Sequence, residues 1–425
     1  MSGKRKWSIA AVASVTAFVV AGAGILAAVD GIEAAQSTTG PIARYDMRAG
    51  TTSGLGAMGG GMKGGFGMAM GGGGGRGPLH ELWLELGSTT ASQGQAPKGD
   101  HFMPAGVRLG PSVPLRTPEP VKSSPPSLPG EREFQRPRGR MLIFWGCGEH
   151  APAGQPVVID FAKVAAGQMP ADLWSTQVPL DRWVSPTTSR TYGVWPNTDD
   201  RKTLSPDSAL PGAHRVVANY APDMNFNLTH DFMAPLRVTS QGQPSGAIIM
   251  QWSPLADATG YYASLMGGKG SGGGQVEDLV WWTSSASREF GGGLSDWLSP
   301  ATVAPLVAGR TVLPPQASTC TIPAEVHAAA PNFMMTTMIA YGPEESFAYP
   351  PRPTDPRAVW HIQWEARIRH RSMTSFMPGM PGMNGMDDGD SRQRKSDQPC
   401  QPRKKRGFGG LGGLIGGALG SGDGC

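Results

Sequence analysis

Between Ala358 and Arg371 the chain reads AVWHIQWEARIRHR, and its side chains alternate. Ala358, Trp360, Ile362, Trp364, Ala366 and Ile368 fall on one side, and Val359, His361, Gln363, Glu365, Arg367 and Arg369 on the other. A period of two puts an apolar face against a core and a polar face toward water, the mark of a half-buried strand in an antiparallel sheet. A helix would scatter the same apolar residues around its circumference. LHELWLELG (Leu79–Gly87) repeats the pattern, with Leu79, Glu81, Trp83 and Glu85 opposite His80, Leu82, Leu84 and Leu86. Short β-rich runs recur at RMLIFW, PVVIDF, RTYGVW, HRVVANYA and MNFNLT, each bounded by turn residues. That spacing predicts an all-β fold rather than alternating strands and helices. SDWLSPATVAPLVAG is the best helical candidate, and Pro300 and Pro305 keep it short.

Glycine (61) and proline (39) are abundant among the 425 residues, but the bias is local. Residues 38–78, with RAGTTSGLGAMGGGMKGGFGMAMGGGGGRGP, read as a disordered Gly/Met-rich linker, because such a stretch buries too little apolar surface to offset its backbone entropy. Residues 116–138 are a proline-rich connector, and 372–425 a disordered Met/Gly-rich basic tail. Between them the expectation is two β-sandwich-like modules, 79–229 and 230–371. A formal charge of +4, scattered except at the termini, lacks the footprint of a nucleic-acid binder.

Residues 1–37 place Lys4, Arg5 and Lys6 before an uncharged run from Trp7 to Val29, ended by Asp30 and Glu33. This is an export signal; whether it is cleaved near Ala35–Ser37 or retained as a membrane anchor stays open. Either way the expected location is outside the cytosol, in the periplasm or cell envelope. No cysteine follows the run, so a lipoprotein anchor is excluded. The four cysteines suit an oxidising compartment, and the favoured pairing is Cys147 with Cys320 and Cys400 with Cys425.

APLRV, GAIIMQW and GYYASLM, between Ala234 and Met266, read as three strands with SPLADAT as a turn. Trp252 closes the second and Tyr261 or Tyr262 opens the third, so both can fill the space between packed sheets. A Pro-led first strand, a core tryptophan and a Gly-Tyr start to the third strand resemble the opening of fibronectin type III domains, over residues 234–340. The resemblance implies a β-sandwich module for binding or spacing, without a reaction.

Catalytic motifs are lacking. MGGKGSGGGQ fails as a phosphate loop because Gly270 follows Lys269, and HELWLEL carries Leu84 where a zinc protease needs its second histidine. WGCGEH places Cys147, Glu149 and His150 together, which reads more simply as a turn with a disulfide-bonded cysteine than as a thiol nucleophile. His214, His230, Asp231, Asp199 and Asp200 compose no recognisable triad or carboxylate pair.

Met377, Met380, Met383 and Met386 recur every third residue, and Met58, Met62, Met68 and Met70 punctuate the first glycine tract; thioethers are soft ligands suited to Cu(I). Trp183 and Trp195 lie in loop-like sequence and could stack on an envelope glycan. The basic, glycine-rich tail at 403–419 and the apolar 7–29 run are candidate membrane contacts. The reading is therefore an exported, envelope-associated, non-catalytic binding or scaffold protein whose partner is an envelope protein or glycan. The alternatives are a glycan-binding protein or glycan hydrolase, and a Met-rich copper-handling protein.

Overall fold

The computed structural model describes residues 37–58, 77–94, 96–119, 139–168, 178, 183–271, 275–291 and 293–379. The strands begin with β1 (Thr38–Thr39), β2 (Ala43–Gly54), β3 (Leu79–Ser88), β4 (Gly99–Phe102), β5 (Ser112–Leu115) and β6 (Arg140–Trp145). They continue with β7 (Val157–Asp160), β8 (Thr191–Trp195), β9 (Gly212–Ala218), β10 (Ala221–Leu228), β11 (Val238–Gly242) and β12 (Ile248–Trp252). The last are β13 (Gly260–Ser271), β14 (Gln275–Thr283), β15 (Thr319–Ile322), β16 (Phe333–Tyr349), β17 (Trp360–His361) and β18 (Trp364–Phe376). The short helices are α1 (Leu55–Met58), α2 (Phe161–Ala165), α3 (Pro300–Ala308) and α4 (Ala324–Ala329).

The fold is all-β. Nine strands form one sheet in the order β7-β6-β14-β13-β16-β18-β2-β3-β8. Two smaller sheets, β10-β9-β4-β5 and β11-β12-β15, lie against the same face of it, here called the inner face. One core gathers Tyr45, Met47, Leu84, Trp195, Trp364 and Ile368 against Leu115, Val216 and Phe226. The other gathers Ala263, Leu265, Val280, Trp282, Met338 and Phe376 against Val238, Met250, Trp252 and Ile322.

β16 serves both cores because it changes parity. Met338 and Ala340 face inward, the register with β18 then shifts between Tyr341 and Glu344, and Phe347 faces inward after the shift. A bulge of this kind inserts residues on one strand and re-aims those that follow. Here it turns the Glu345 carboxylate into the seam between the cores, where it accepts from the Thr229 amide (3.0 Å), the Thr229 hydroxyl (2.9 Å) and the His230 amide (3.1 Å).

Several sequence expectations need correction. Residues 43–54, assigned to a linker, form the long strand β2 inside the large sheet, parallel to β18 and antiparallel to β3. Its Thr51 and Ser53 hydroxyls donate to the Met233 and Leu236 carbonyls, so small polar side chains let a crossing segment lie close against the sheet. The two sandwich-like halves also share this one sheet: β6, from the span of the first expected module, pairs in parallel with β14 of the second. APLRV is mostly not strand, because Pro235 has no N–H and the Leu236 amide donates to Ser372 Oγ; the strand starts at Val238. The C-terminal strand starts at Trp364 rather than Ala358, and runs on to Phe376. The expected short helix is α3, capped by the Ser299 hydroxyl.

Candidate functional site

The outer face of β2, β3 and β18 carries the densest chemistry. The residues that alternate away from the core are Arg44, Asp46 and Arg48 on β2, Glu81, Trp83 and Glu85 on β3, and Glu365, Arg367, Arg369 and Arg371 on β18. Register places Arg367 beside Asp46, Asp46 beside Glu85, and Arg48 beside Trp83. Arg367 and Asp46 therefore meet as cross-strand neighbours of opposite charge. The Asp46 and Glu85 carboxylates, by contrast, stand side by side and are balanced by arginines reaching across from neighbouring positions.

Asp46, 1% exposed, is the hub. Its Oδ2 accepts from Arg369 Nη2 at 2.8 Å and its Oδ1 from Arg367 Nε at 3.4 Å. Arg369 also donates to the Trp297 carbonyl. Arg48 Nη2 lies 2.6 Å from Glu85 Oε1, and Arg371 Nη2 donates to Glu81 Oε1 at 3.2 Å. Two indoles lie against these guanidiniums: Arg367 sits 4.5 Å from the Trp183 ring centroid, and Arg371 3.9 Å from that of Trp297. Such contacts hold a cation over the negative face of the ring.

Two segments cover parts of this face. Trp297 rests on Gly50, where a Cβ would come within 2.6 Å of its ring, and Ser189 and Val184 rest on Gly87, where a Cβ would lie 2.2 Å from the serine hydroxyl. Between them Trp83 lies open, 46% exposed, with Glu81 and Glu85 on either side.

A second polar cluster lies on the inner side and is closed to solvent. His214 Nε2 is 2.8 Å from the Leu210 carbonyl, which can only accept, so Nε2 carries the proton. His214 Nδ1 then accepts from His101 Nε2 at 2.9 Å, and His101 Nδ1 accepts the Tyr45 hydroxyl proton at 2.6 Å. Burial, joined by the neighbouring His214, holds His101 well below the usual imidazole range; burial also lowers His214 and raises the Tyr45 hydroxyl. Nearby, burial pushes His370 down to about 4. All three histidines are neutral scaffolding, a role for which the sequence carries no signal, since the partners are far apart along the chain.

The residues singled out from sequence are dispersed. Trp195 is 2% exposed and faces the inner core, whereas Trp183 is half-buried on the outer face under Arg367, so the two form no shared glycan platform. Aromatic burial in β8 is the physical reason: the strand turns Trp195 toward Leu84. Cys147 and Cys320 form a disulfide with Cα atoms 5.2 Å apart, tying the loop after β6 to β15 and removing the thiol nucleophile. His150 Nδ1 instead lies 3.0 Å from Glu325 Oε1, beside a hollow of about 440 Å³ that His327 and Ser245 also line. Both partners are exposed, and such a pair is screened by water.

Met377 is half-buried just after β18; Met380, Met383, Met386, Cys400, Cys425 and the 7–29 and 403–419 segments lie outside the described residues. Among the described residues no group of three or more His, Cys, Asp or Glu side chains could hold a metal, and no helix is long and apolar enough to cross a membrane. Arg48, Asp46 and Trp297 belong to no motif of the sequence; for Asp46 and Arg48 the alternation of RYDMR is the available signal, and Trp297 has none. No family model, curated protein or solved structure matches this chain.

Proposed function

We propose that this chain acts outside the cytosol as a non-catalytic binding or scaffold protein of the cell envelope, engaging its partner through the outer face around Trp83. The Cys147–Cys320 disulfide is the observation that carries the reading, because such bonds persist in oxidising compartments. The basic flank and uncharged run at the N-terminus support the same location. The charged groups of the outer face are locked in mutual pairs, an arrangement suited to presenting a rigid surface rather than to moving protons. A fibronectin type III-like reading of residues 234–340 is supported by β11 and β12 lying in one sheet and β13 in the facing one, with the Trp252 and Tyr261 rings 5.6 Å apart between them.

The test is cell fractionation of the full chain, with thiols alkylated before any reduction, followed by pull-down from the envelope. Cys147 and Cys320 blocked to alkylation in an envelope or secreted fraction, with a partner captured by the wild type and lost on Trp83→Ala, is the expected result. Reduced cysteines in a cytosolic fraction would sink the proposal.

Copper handling is a second reading, favoured by one observation. Parallel strands β2 and β18 end side by side, with Gly54 opposite Ser375, so both methionine-bearing segments continue from one place on the sheet. Replacement of Met377, Met380, Met383 and Met386 by leucine should then abolish Cu(I) retention, and unchanged retention would rule it out.

A further inference from the structure

We propose that Met266, Met335 and Met377 form a Cu(I) site on the outer face of the large sheet. The inference rests on the copper reading above and gives it a place within the folded strands. Met266 of β13 pairs directly with Met335 of β16. Leu265 and Trp282 face the inner core, so Met266 and its other cross-strand neighbour, Trp281 of β14, face outward. On β18, Phe376 faces inward and pairs with Thr336. One step further along, Met377 stands across from Met335 on the outer side, and Pro378 after it favours an extended backbone there.

Three thioethers thus stand side by side on three adjacent strands. Directly paired residues have Cβ atoms about 4.5–5.5 Å apart, and methionine has three rotatable bonds. The sulfurs of neighbours can therefore meet at one ion by side-chain rotation, with no movement of the backbone. Met266 is 47% exposed, and Met335 and Met377 keep part of their surface in solvent, so an ion can arrive from outside.

The donor set decides the occupant. Among the described residues, the outward positions around the three methionines are Ser264, Thr337 and Ser375 on one side, Gly268, Leu279 and Phe333 on the other, and Trp281. None is a carboxylate, an imidazole or a thiol, so Ca²⁺ or Zn²⁺ finds none of its usual side-chain ligands there. The two acids of β14 are already engaged, Asp278 by Arg140 at 2.8 Å and Glu277 by Lys269 at 3.4 Å. Neutral, polarisable thioethers select a soft ion, Cu(I). The Trp281 indole beside Met266 adds an aromatic ring, to which a cation is also drawn.

The experiment is Cu(I) competition between the full-length protein and bathocuproine disulfonate, anaerobically and with ascorbate so that the disulfide stays intact, with X-ray absorption to report the donor atoms. Two variants separate sheet from tail: Met266→Leu/Met335→Leu, and Met380→Leu/Met383→Leu/Met386→Leu. Expected are one Cu(I) held by sulfur alone in the tail variant, and at least tenfold weaker binding of that ion in the sheet variant. Leucine conserves the volume of methionine, so the unfolding curves should nearly coincide. Met377→Leu, outside the strand pairing, should weaken the same ion and keeps the test valid should the double variant unfold. A sheet variant that binds as the wild type does, a tail variant that holds no ion, or a nitrogen or oxygen shell would each overturn the sheet site. The first two outcomes leave the copper reading standing on the tail, whereas a wild-type chain that retains no Cu(I) overturns both.

Discussion

His101 donates its Nε2 proton to His214 Nδ1 across 2.9 Å, in a core where neither ring meets water. The direction of every proton in the run from Tyr45 to the Leu210 carbonyl follows from that one acceptor-only end. Tyr45→Phe removes the donor and leaves His101 Nδ1 buried without one. The expected loss is about 1–3 kcal/mol in urea unfolding, the cost of an unsatisfied buried acceptor. A variant as stable as the wild type would show that the hydroxyl contributes nothing.

The same histidines set an acid limit. His101, His214 and His370 all titrate lower in the fold than the roughly 6.5 of an unfolded imidazole. Their neutral forms carry no penalty above that pH. As pH falls below it the unfolded chain takes up protons first, and stability is lost. For His370, held at about 4 by burial against the opposing pull of Glu345, the loss reaches about 3 kcal/mol by pH 4. Glu345 adds to it with the same sign at lower pH: burial raises its carboxyl, but the His230 and Thr229 amides outweigh this and hold it below its ordinary value. Urea midpoints measured between pH 7.5 and 4.5 should fall steadily below 6.5, and a flat profile would contradict the assignment.

Asp46→Ala should be among the most damaging single changes in the chain. It strands the guanidinium of Arg369, itself 1% exposed, with its main counter-charge gone. Removing one partner of a buried pair costs about 3–5 kcal/mol, whereas replacing both with apolar groups is far milder. Thermal unfolding of Asp46→Ala and of Asp46→Leu/Arg369→Met should therefore rank the single variant below the double one.

Reduction of Cys147–Cys320 frees two residues separated by 173 positions in sequence. Loss of a native cross-link of that span costs about 2–5 kcal/mol, chiefly through the larger freedom of the unfolded chain. Cys147→Ser/Cys320→Ser should show the lowered midpoint even in oxidising buffer, while dithiothreitol should no longer shift it.

What could be read in advance was local alternation. LHELWLELG showed its buried Leu82, Leu84 and Leu86 and its open Trp83 because a strand's period writes itself into neighbouring residues. What escaped depended on distant partners. Arg369 sits on the polar side of its strand and reads as a solvent-facing residue, yet Trp297 and Asp46, 72 and 323 positions away, close over it. ARYDMRAGTTSG looks too polar and too rich in small residues for a central strand, and only the crossing segment at Met233–Leu236 explains why it needs them. The outer-face cluster was hidden for the same reason: its groups come from β2, β3, β18 and the two covering segments at Trp183–Ser189 and Trp297, five separate stretches of chain.

The parallel pairing of β2 with β18 joins Ala43 to Trp364 and Gly54 to Ser375. A polypeptide emerging in order from its N-terminus thus makes one of its middle strands almost at once, and must hold that strand unpaired on one side until nearly the whole remainder has arrived. Contacts of such long separation close slowly. A chain cut short anywhere before residue 364 carries an open edge at the centre of its largest sheet, and is a candidate for edge-to-edge association rather than for partial activity.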